Sequence, residues 1–174
     1  GSSGYLAGAV WRINTTWTFL DKKNQGKQGD ASIVANLDYS WVQWEKNFYG
    51  FLEFHYNGLS ENEPRDAFSA AAIRQRMLRG ELHSVGRTYL SAQIDVELMP
   101  LLNFTNTLLN NLEDPSGIWQ PKVIYNTTQN SDITLVANLK YGEKGTEFGG
   151  FQIPGMPYKN PQPNSVFICG SYYF

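Results

Sequence analysis

The residues best able to do acid–base chemistry in this 174-residue chain are its two histidines, each with a carboxylate close in sequence. His55 follows Glu53 by two residues, a spacing that puts both side chains on one face of a strand. His83 lies near Ser84 and Glu81, but such close neighbours on a helix do not face one another. Covalent catalysis needs a nucleophile and a base within hydrogen-bond reach. Because neither histidine has an evident nucleophile facing it, the sequence predicts no enzyme.

Metal and redox chemistry find even fewer candidates in the sequence. Cys169 is the only cysteine, so the chain has no disulfide framework of its own and no cysteine metal cluster. We interpret this cysteine as a small apolar filler within a strand, and we predict no metal site and no cofactor. The formal net charge of −2 gives no reason to expect a nucleic-acid partner.

The composition favours strands that have one wet face. Aromatic residues make up 14% of the chain, whereas charged residues make up only 17%, below the usual value of about 25%. The mean hydropathy is nevertheless negative, at −0.40. Uncharged polar residues must therefore be abundant, as they are in segments that alternate between apolar and polar positions.

Alternation with a period of two recurs along the chain and predicts about eight strands. In the first segment, Trp11, Ile13 and Trp17 alternate with polar residues. The eight segments are 9–20, 31–42, 48–57, 88–98, 101–111, 118–127, 132–141 and 165–174. The fifth is the weakest, because Asn106 interrupts its apolar side. We set residues 1–4, Gly-Ser-Ser-Gly, apart as a linker and assign residues 5–174 to one domain.

The connections between these segments alternate between long and short. Such asymmetry is typical of an antiparallel up-and-down meander with one plain end and one elaborated end. The second long connection contains "EPRDAFSAAAIRQRMLRGELHS", residues 63–84, where the period-two pattern stops. Pro64 can begin a helix, the alanine run favours one, and Gly86 can end it. We therefore predict a short helix inside this loop.

Two interpretations of the alternation compete. In a soluble lipocalin-like barrel or a sandwich, the apolar positions face a core and the polar positions face water. In a transmembrane β-barrel the apolar positions face lipid and the polar positions face the lumen. The polar positions carry few Lys or Glu in rows, and aromatic residues cluster near the strand ends. Both observations favour the transmembrane barrel, because aromatic rings suit the two headgroup regions.

The chain ends on "SYYF", in which Tyr172 shares the face of Phe174. Together with the eight alternating segments, this ending resembles Gram-negative outer-membrane β-barrel proteins. Stretches such as 86–142 and "GTEFGG" are similar to the C-terminal part of longer porin-like barrels. The resemblance implies location in the bacterial outer membrane, short turns in the periplasm and long loops outside. It also implies contact with outer-membrane lipid and lipopolysaccharide, and with the barrel-assembly machinery through the last strand.

Three groups of candidate site residues follow. Polar residues predicted to face the lumen are Arg12, Asp38, Glu53, His55, Asp95, Glu97, Lys122 and Lys140. Aromatic residues predicted to lie at the lipid interfaces are Trp11, Trp17, Trp41, Trp44, Tyr56, Trp119, Tyr141, Tyr172 and Phe174. A basic cluster predicted in or beside the loop helix comprises Arg65, Arg74, Arg76, Arg79 and Arg87. This cluster is either a solvated loop face, a phosphate-binding site or a group that folds into a pore.

The leading functional hypothesis is a porin-type or porin-derived barrel that passes small solutes passively if its pore is open. The runner-up is a small closed eight-stranded barrel with a structural or surface-interaction role. In the closed barrel, the polar residues would pair across a narrow lumen, with Arg12, Lys122 and Lys140 opposite an acidic wall. A soluble lipocalin-like carrier and an outer-membrane enzyme are lesser alternatives.

Overall fold

The computed structural model describes residues 1–19, 29–60, 85–152, 159–160 and 163–174. The strands in these ranges are β1 Ser2–Leu6, β2 Ala9–Phe19, β3 Gly29–Gln43, β4 Lys46–Asn57, β5 Thr88–Met99, β6 Leu102–Asn111, β7 Ser116–Thr128, β8 Ser131–Tyr141, β9 Phe151–Gln152, β10 Lys159–Asn160 and β11 Ser165–Tyr172. No helix occurs within the described ranges. The helix predicted at 63–84 lies outside them.

Nine of these strands form one antiparallel sheet. Its order is β1-β2-β3-β4-β5-β6-β7-β8-β11, and β9 and β10 pair separately as a two-stranded ribbon. Within the part of the chain that is described, the sheet is not closed, because β1 and β11 each pair on one side only. Since every neighbouring pair is antiparallel, the two edge strands run in the same direction.

The eight predicted strands correspond to β2 through β8 and β11, including the weakly patterned β6. The count of about eight was too low for the sheet, which has a ninth strand, β1. Residues 2–4, set apart as a linker, belong to β1 and pair with β2, where Ser3 opposes Arg12. Alternation could not reveal this strand, because the pairing of its short Ser-Ser-Gly segment depends on backbone hydrogen bonds and not on an apolar side-chain face.

Short turns lie at one end of the sheet and longer connections at the other, as the spacing predicts. Residues 7–8 join β1 to β2 and residues 44–45 join β3 to β4. Both central residues of each turn have positive φ: 50° and 87° for Ala7 and Gly8, and 50° and 59° for Trp44 and Glu45. Two-residue turns of this conformation match the twist of antiparallel strands, which fixes the register of each hairpin.

The register gathers the apolar positions onto one continuous face of the sheet. Leu37 opposes Trp11 on one side and Leu52 on the other. The same row continues across the sheet through Ala92, Leu108, Trp119 and Leu139. Because side chains alternate along a strand, the residues between these positions form the opposite, polar face.

The apolar side chains of the sheet are exposed and the buried residues are mostly polar, which is the reverse of a soluble sheet with an apolar core. On the apolar face, Trp17 is 54% exposed, Trp119 is 44% exposed and Ile168 is 76% exposed. The fully covered residues are mostly polar: Ser60, Asn111, Asp114, Ser116 and Thr146. Besides these, Tyr89 and Val85 are the buried apolar residues of the described ranges. The best-covered region is therefore polar and lies at the loop end of the sheet.

Pro121 lies in the middle of β7, where it opposes Asn106 of β6. The ladder between β7 and β8 is paired at Trp119 with Leu139 and resumes at Lys122 with Val136. The register is the same on both sides of this gap. A proline has no backbone N–H to donate, so the ladder is interrupted over two residue pairs while the strands keep their alignment.

Candidate functional site

The polar face is the part of the molecule where side chains able to bind a solute come together. All eight polar residues predicted for the lumen lie on it, by the register of their strands: Arg12, Asp38, Glu53, His55, Asp95, Glu97, Lys122 and Lys140. One row of this face runs from Arg12 through Asn36, Glu53 and Ser91 to Lys140 on the far side. The sequence thus located the face correctly, although side-chain partners require the structure.

Arg12 pairs with a neighbour on the adjacent strand and not with a group across a lumen. Its Nη1 lies 2.5 Å from an oxygen of Asp38 and 3.4 Å from the amide oxygen of Asn36. The side chain of Arg12 is 46% exposed and that of Asp38 is 14% exposed. This is the only ion pair between side chains in the described ranges. The acidic partner of Arg12 therefore lies on the adjacent strand, and not on the opposite wall of a lumen as predicted for a closed barrel.

The acidic wall predicted for a closed barrel consists of Glu53 on β4 and of Asp95 and Glu97 on β5, which share the polar face but do not lie side by side. Glu53 opposes Ser91, whereas Asp95 opposes Tyr49, so the carboxylates are offset along the strands. Asp95 accepts a 2.7 Å hydrogen bond from Nε2 of Gln93. Local amides therefore satisfy part of this acidic set, and the prediction of one adjacent acidic wall is wrong in its register.

A similar local contact involves Glu97 at the turn end. Its Oε2 accepts a 2.6 Å hydrogen bond from Nδ2 of Asn47. By contrast, the carboxylate of Glu53 has no hydrogen bond or ion pair with any residue in the described ranges. Lys122 lies in the row of Asp95 and Thr105, two strands from the carboxylate of Asp95. The cross-lumen pair predicted for Lys122 does not occur between described residues.

The start of the connection after β8, residues 142–150, folds back over the polar face and is anchored there by Glu147. One carboxylate oxygen accepts hydrogen bonds from the hydroxyl of Tyr89, at 2.5 Å, and from Nδ2 of Asn111, at 2.8 Å. The other accepts from the backbone N–H of Val85, at 3.1 Å. Asn111 lies at the end of β6 and Tyr89 on β5, so the connection extends from β8 past β7 and β6 to β5. The anchored connection thus covers the polar face at the end of the sheet where the long connections lie.

Asp114 and Ser116 hold the backbone of the same connection. Asp114 accepts a 2.7 Å hydrogen bond from the N–H of Glu147, and its other oxygen accepts from the hydroxyl of Ser116. The hydroxyl oxygen of Ser116 accepts in turn from the N–H of Phe148, at 3.3 Å. The buried side chains of Asp114 and Ser116 are therefore satisfied by each other and by this backbone, as most buried polar groups are. The buried hydroxyl of Ser60 is the exception among the described residues, because it has no hydrogen-bond partner.

Sequence reasoning missed Glu147, Tyr89, Asn111, Asp114 and Ser116. Their separations along the chain exceed thirty residues for the pairs made by Glu147 with Asn111 and Asp114. A local signal did exist, since Glu147 lies within the glycine-rich "GEKGTEFGG" at 142–150. Gly142, at φ 144°, lies at the point where the chain leaves β8.

A cavity of about 370 Å³ lies beneath the connection, on the polar face. Glu53, His55 and Ser91 form its floor on β4 and β5, while Glu147 and Phe148 close one side. The imidazole of His55 stacks on the ring of Tyr89 with their centroids 6.2 Å apart. The cavity therefore combines two carboxylates with aromatic rings.

The basic cluster is represented in the described ranges by Arg87 alone. Nε and Nη2 of its guanidinium donate to the backbone oxygen of Ser60 at 3.2 and 3.1 Å. Its backbone N–H donates to a carboxylate oxygen of Glu113, at 2.7 Å. Arg87 is thus used to join two loops. The other four predicted members, Arg65, Arg74, Arg76 and Arg79, lie outside the described residues, as does His83.

The predicted interface aromatics share the apolar face. Those within strands are Trp11, Trp17, Trp41, Tyr56, Trp119, Tyr141 and Tyr172. At the turn end, Phe48 stacks on Trp41 with a centroid distance of 5.3 Å and meets the edge of Trp44 at 6.3 Å. Tyr172 and Phe174 are in edge contact at 5.5 Å. Ring contacts therefore join Trp41, Trp44 and Phe48 at the turn between β3 and β4, and Tyr172 and Phe174 at the end of β11.

Metal ligation finds no support in the described ranges, where no three His, Cys, Asp or Glu side chains converge. Cys169 is exposed on β11, not packed as a filler. No helix of the described chain is long and apolar enough to cross a membrane. The structure thus defines a class: an all-β protein built on one antiparallel sheet with an exposed apolar face and a hydrogen-bonded polar face. Comparison with protein-family models, curated proteins and solved structures gives no match.

Proposed function

We propose that this chain forms the wall of a porin-type β-barrel in a bacterial outer membrane and that small solutes pass passively along its polar face. The observation that carries the proposal is the continuous, exposed apolar face, which extends over eight neighbouring strands from β2 to β11. The strands of this face have between 8 and 15 residues. Transmembrane strands of about 9–11 residues span a bilayer when tilted.

The area of the apolar face supports contact with lipid. Eight strands give seven spacings of about 4.8 Å, and an apolar band about 25 Å tall would cover on the order of 800 Å². Soluble monomers rarely expose contiguous apolar patches larger than a few hundred Å². Hydrocarbon removes the cost of exposing such a face to water.

The position of the covered polar network argues against the soluble carrier. A lipocalin-like barrel would bury the apolar positions around a ligand and expose the polar ones. Here Tyr89, Asn111 and Ser116, all on the polar face, are covered by the connection after β8. A lumen is the environment that accounts for a covered polar face opposite an exposed apolar one.

The closed eight-stranded barrel is the second candidate. β2 and β11 are antiparallel in orientation, so these eight strands would close if β1 were displaced from β2. In that case the connection anchored by Glu147 would fill much of a narrow lumen, because eight-stranded barrels leave room for little more than side chains.

Planar-bilayer recording tests the proposal. The chain, refolded in detergent and shown by heat-dependent gel mobility to form a barrel, is expected to give steps of ohmic conductance. A folded barrel without conductance would favour the closed eight-stranded candidate. A chain that is monomeric without detergent, with a mobility unaffected by heating, would contradict both membrane proposals.

A further inference from the structure

The cavity beneath the connection after β8 contains a carboxylate without a counter-charge. Glu53 lies on its floor and is half-buried, yet its carboxylate has no basic or hydrogen-bonding partner in the described part of the chain. A partly desolvated carboxylate interacts with an added cation more strongly than an exposed one. A positively charged ligand would therefore have the most favourable electrostatic interaction with this site.

Glu147 adds a second negative charge to the same cavity, and no ion pair with a described residue neutralises it. Its three hydrogen-bond donors are the hydroxyl of Tyr89, the amide of Asn111 and the backbone N–H of Val85. These donors are neutral, so they fix the position of the carboxylate and leave its charge in place. Tyr89 and Asn111 are each under 5% exposed, so both donors are shielded from water.

Aromatic groups distinguish this cavity from a simple acidic patch. Phe148 forms part of the wall, and the stacked rings of His55 and Tyr89 form another part. Aromatic faces attract cations, and cages of such rings recognise ammonium groups that carry alkyl substituents. The volume of about 370 Å³ is within the range of small-molecule sites.

We propose that this cavity binds small organic cations, namely alkylammonium groups, as they move along the polar face. The inference rests on the proposed function, which it deepens by naming the class of solute. Glu53 supplies the counter-charge, Glu147 supplies a fixed second charge, and Phe148 contacts the alkyl substituents. Bound cations would make the pore favour cations over anions.

Binding of tetramethylammonium to the refolded chain tests the site directly. In detergent, NMR titration is expected to show saturable binding that weakens about tenfold in Glu53→Gln. Glu45→Gln is the matched control, because it makes the same charge change in the turn at the opposite end of the sheet. This control should change the affinity less than twofold. Heat-dependent gel mobility establishes that each variant is folded.

A second measurement separates this inference from the proposed function. The ratio of cation to anion permeability, obtained from reversal potentials, should fall in Glu53→Gln and not in Glu45→Gln. If the barrel does not conduct but tetramethylammonium binding still depends on Glu53, the pore proposal fails and the site stands. If the barrel conducts but both binding and selectivity are unchanged in Glu53→Gln, the cation site is overturned. Absence of saturable binding to the unaltered chain would overturn it as well.

Discussion

Glu147→Gln is the most informative single substitution, because one side chain anchors the connection after β8 to two strands and a loop. Its carboxylate accepts hydrogen bonds from Tyr89, Asn111 and Val85. Glutamine has nearly the same shape but replaces one accepting oxygen with a donating NH₂ group. If that NH₂ group lies between Tyr89 and Asn111, it faces two other donors and both hydrogen bonds are lost. If it takes the other position, it faces the N–H of Val85.

The expected cost follows from these contacts. A hydrogen bond to a charged group contributes about 1.5–3 kcal/mol, and a neutral one about 0.5–1.5 kcal/mol. Weakening two or three charged bonds in a covered site should cost about 3 kcal/mol. This corresponds to a roughly 150-fold increase in the opening equilibrium of the connection, since every 1.4 kcal/mol is a factor of ten. The strands themselves keep their backbone ladders, so the sheet should stay folded.

Amide hydrogen exchange measures this opening at the backbone N–H groups of the connection itself. The N–H groups of Glu147 and Phe148 donate to Asp114 and Ser116, so their protection reports whether the connection is seated. Glu143→Gln is the control on the same connection, because the side chain of Glu143 is exposed and has no hydrogen bond among described residues. Protection in Glu147→Gln that stays within about threefold of the unaltered chain would refute the proposed anchor.

Three further predictions concern the sheet itself. Arg12→Leu should lower the free energy of unfolding in urea by at most about 1 kcal/mol, because its ion pair with Asp38 is half-exposed and screened; a loss above about 3 kcal/mol would indicate a tightly closed lumen. Leu135→Lys on the apolar face should destabilise the chain refolded in lipid vesicles by about 2–4 kcal/mol, while Thr134→Lys on the polar face should cost much less. Equal costs in that pair would contradict lipid contact. Phe174→Ala should slow assembly in vesicles containing the barrel-assembly machinery and leave the rate of spontaneous refolding in detergent unchanged. If the variant assembles in these vesicles as fast as the unaltered chain, the proposed role of Phe174 is contradicted.

The two faces of the sheet were predictable from sequence because alternation is a local property. Trp11, Leu37 and Leu52 belong to three separate segments, yet each segment alone fixes which of its residues share a face. The register that lines them up in one row depends on turns. The short connection predicted at residues 45–47 includes Glu45 of the observed two-residue turn but not Trp44. Local periodicity and loop length therefore accounted for most of the sheet.

The exceptions to alternation were harder to predict because their reasons lie on neighbouring strands. Asn106 interrupts the apolar side of β6, and its amide oxygen accepts a 2.5 Å hydrogen bond from the indole N–H of Trp119 on β7. Asn110 does the same for the hydroxyl of Tyr141 on β8. In both cases a polar residue on the apolar face is satisfied by the polar atom of an aromatic ring.

The anchor at Glu147 could not be deduced from spacing at all. It joins residues that are 36 and 58 positions apart, namely Asn111 and Tyr89. The direction in which a long connection folds depends on three-dimensional partners and not on a repeating pattern. The acidic set on β4 and β5 shows the same limit, because Glu53 and Asp95 share a face but their offset depends on the register of the hairpin.

The shared direction of β1 and β11 restricts how copies of this sheet could combine. In the proposed membrane barrel, two copies related by a rotation about the barrel axis would bring β11 of one beside β1 of the other, and this seam would be parallel. An antiparallel seam would require one copy to be inverted, which would put its long connections on the opposite side of the membrane. A symmetric two-copy ring with the same orientation is therefore incompatible with purely antiparallel pairing. An all-antiparallel barrel that retains all nine strands instead needs an odd number of strands from a segment that is not another copy of this sheet.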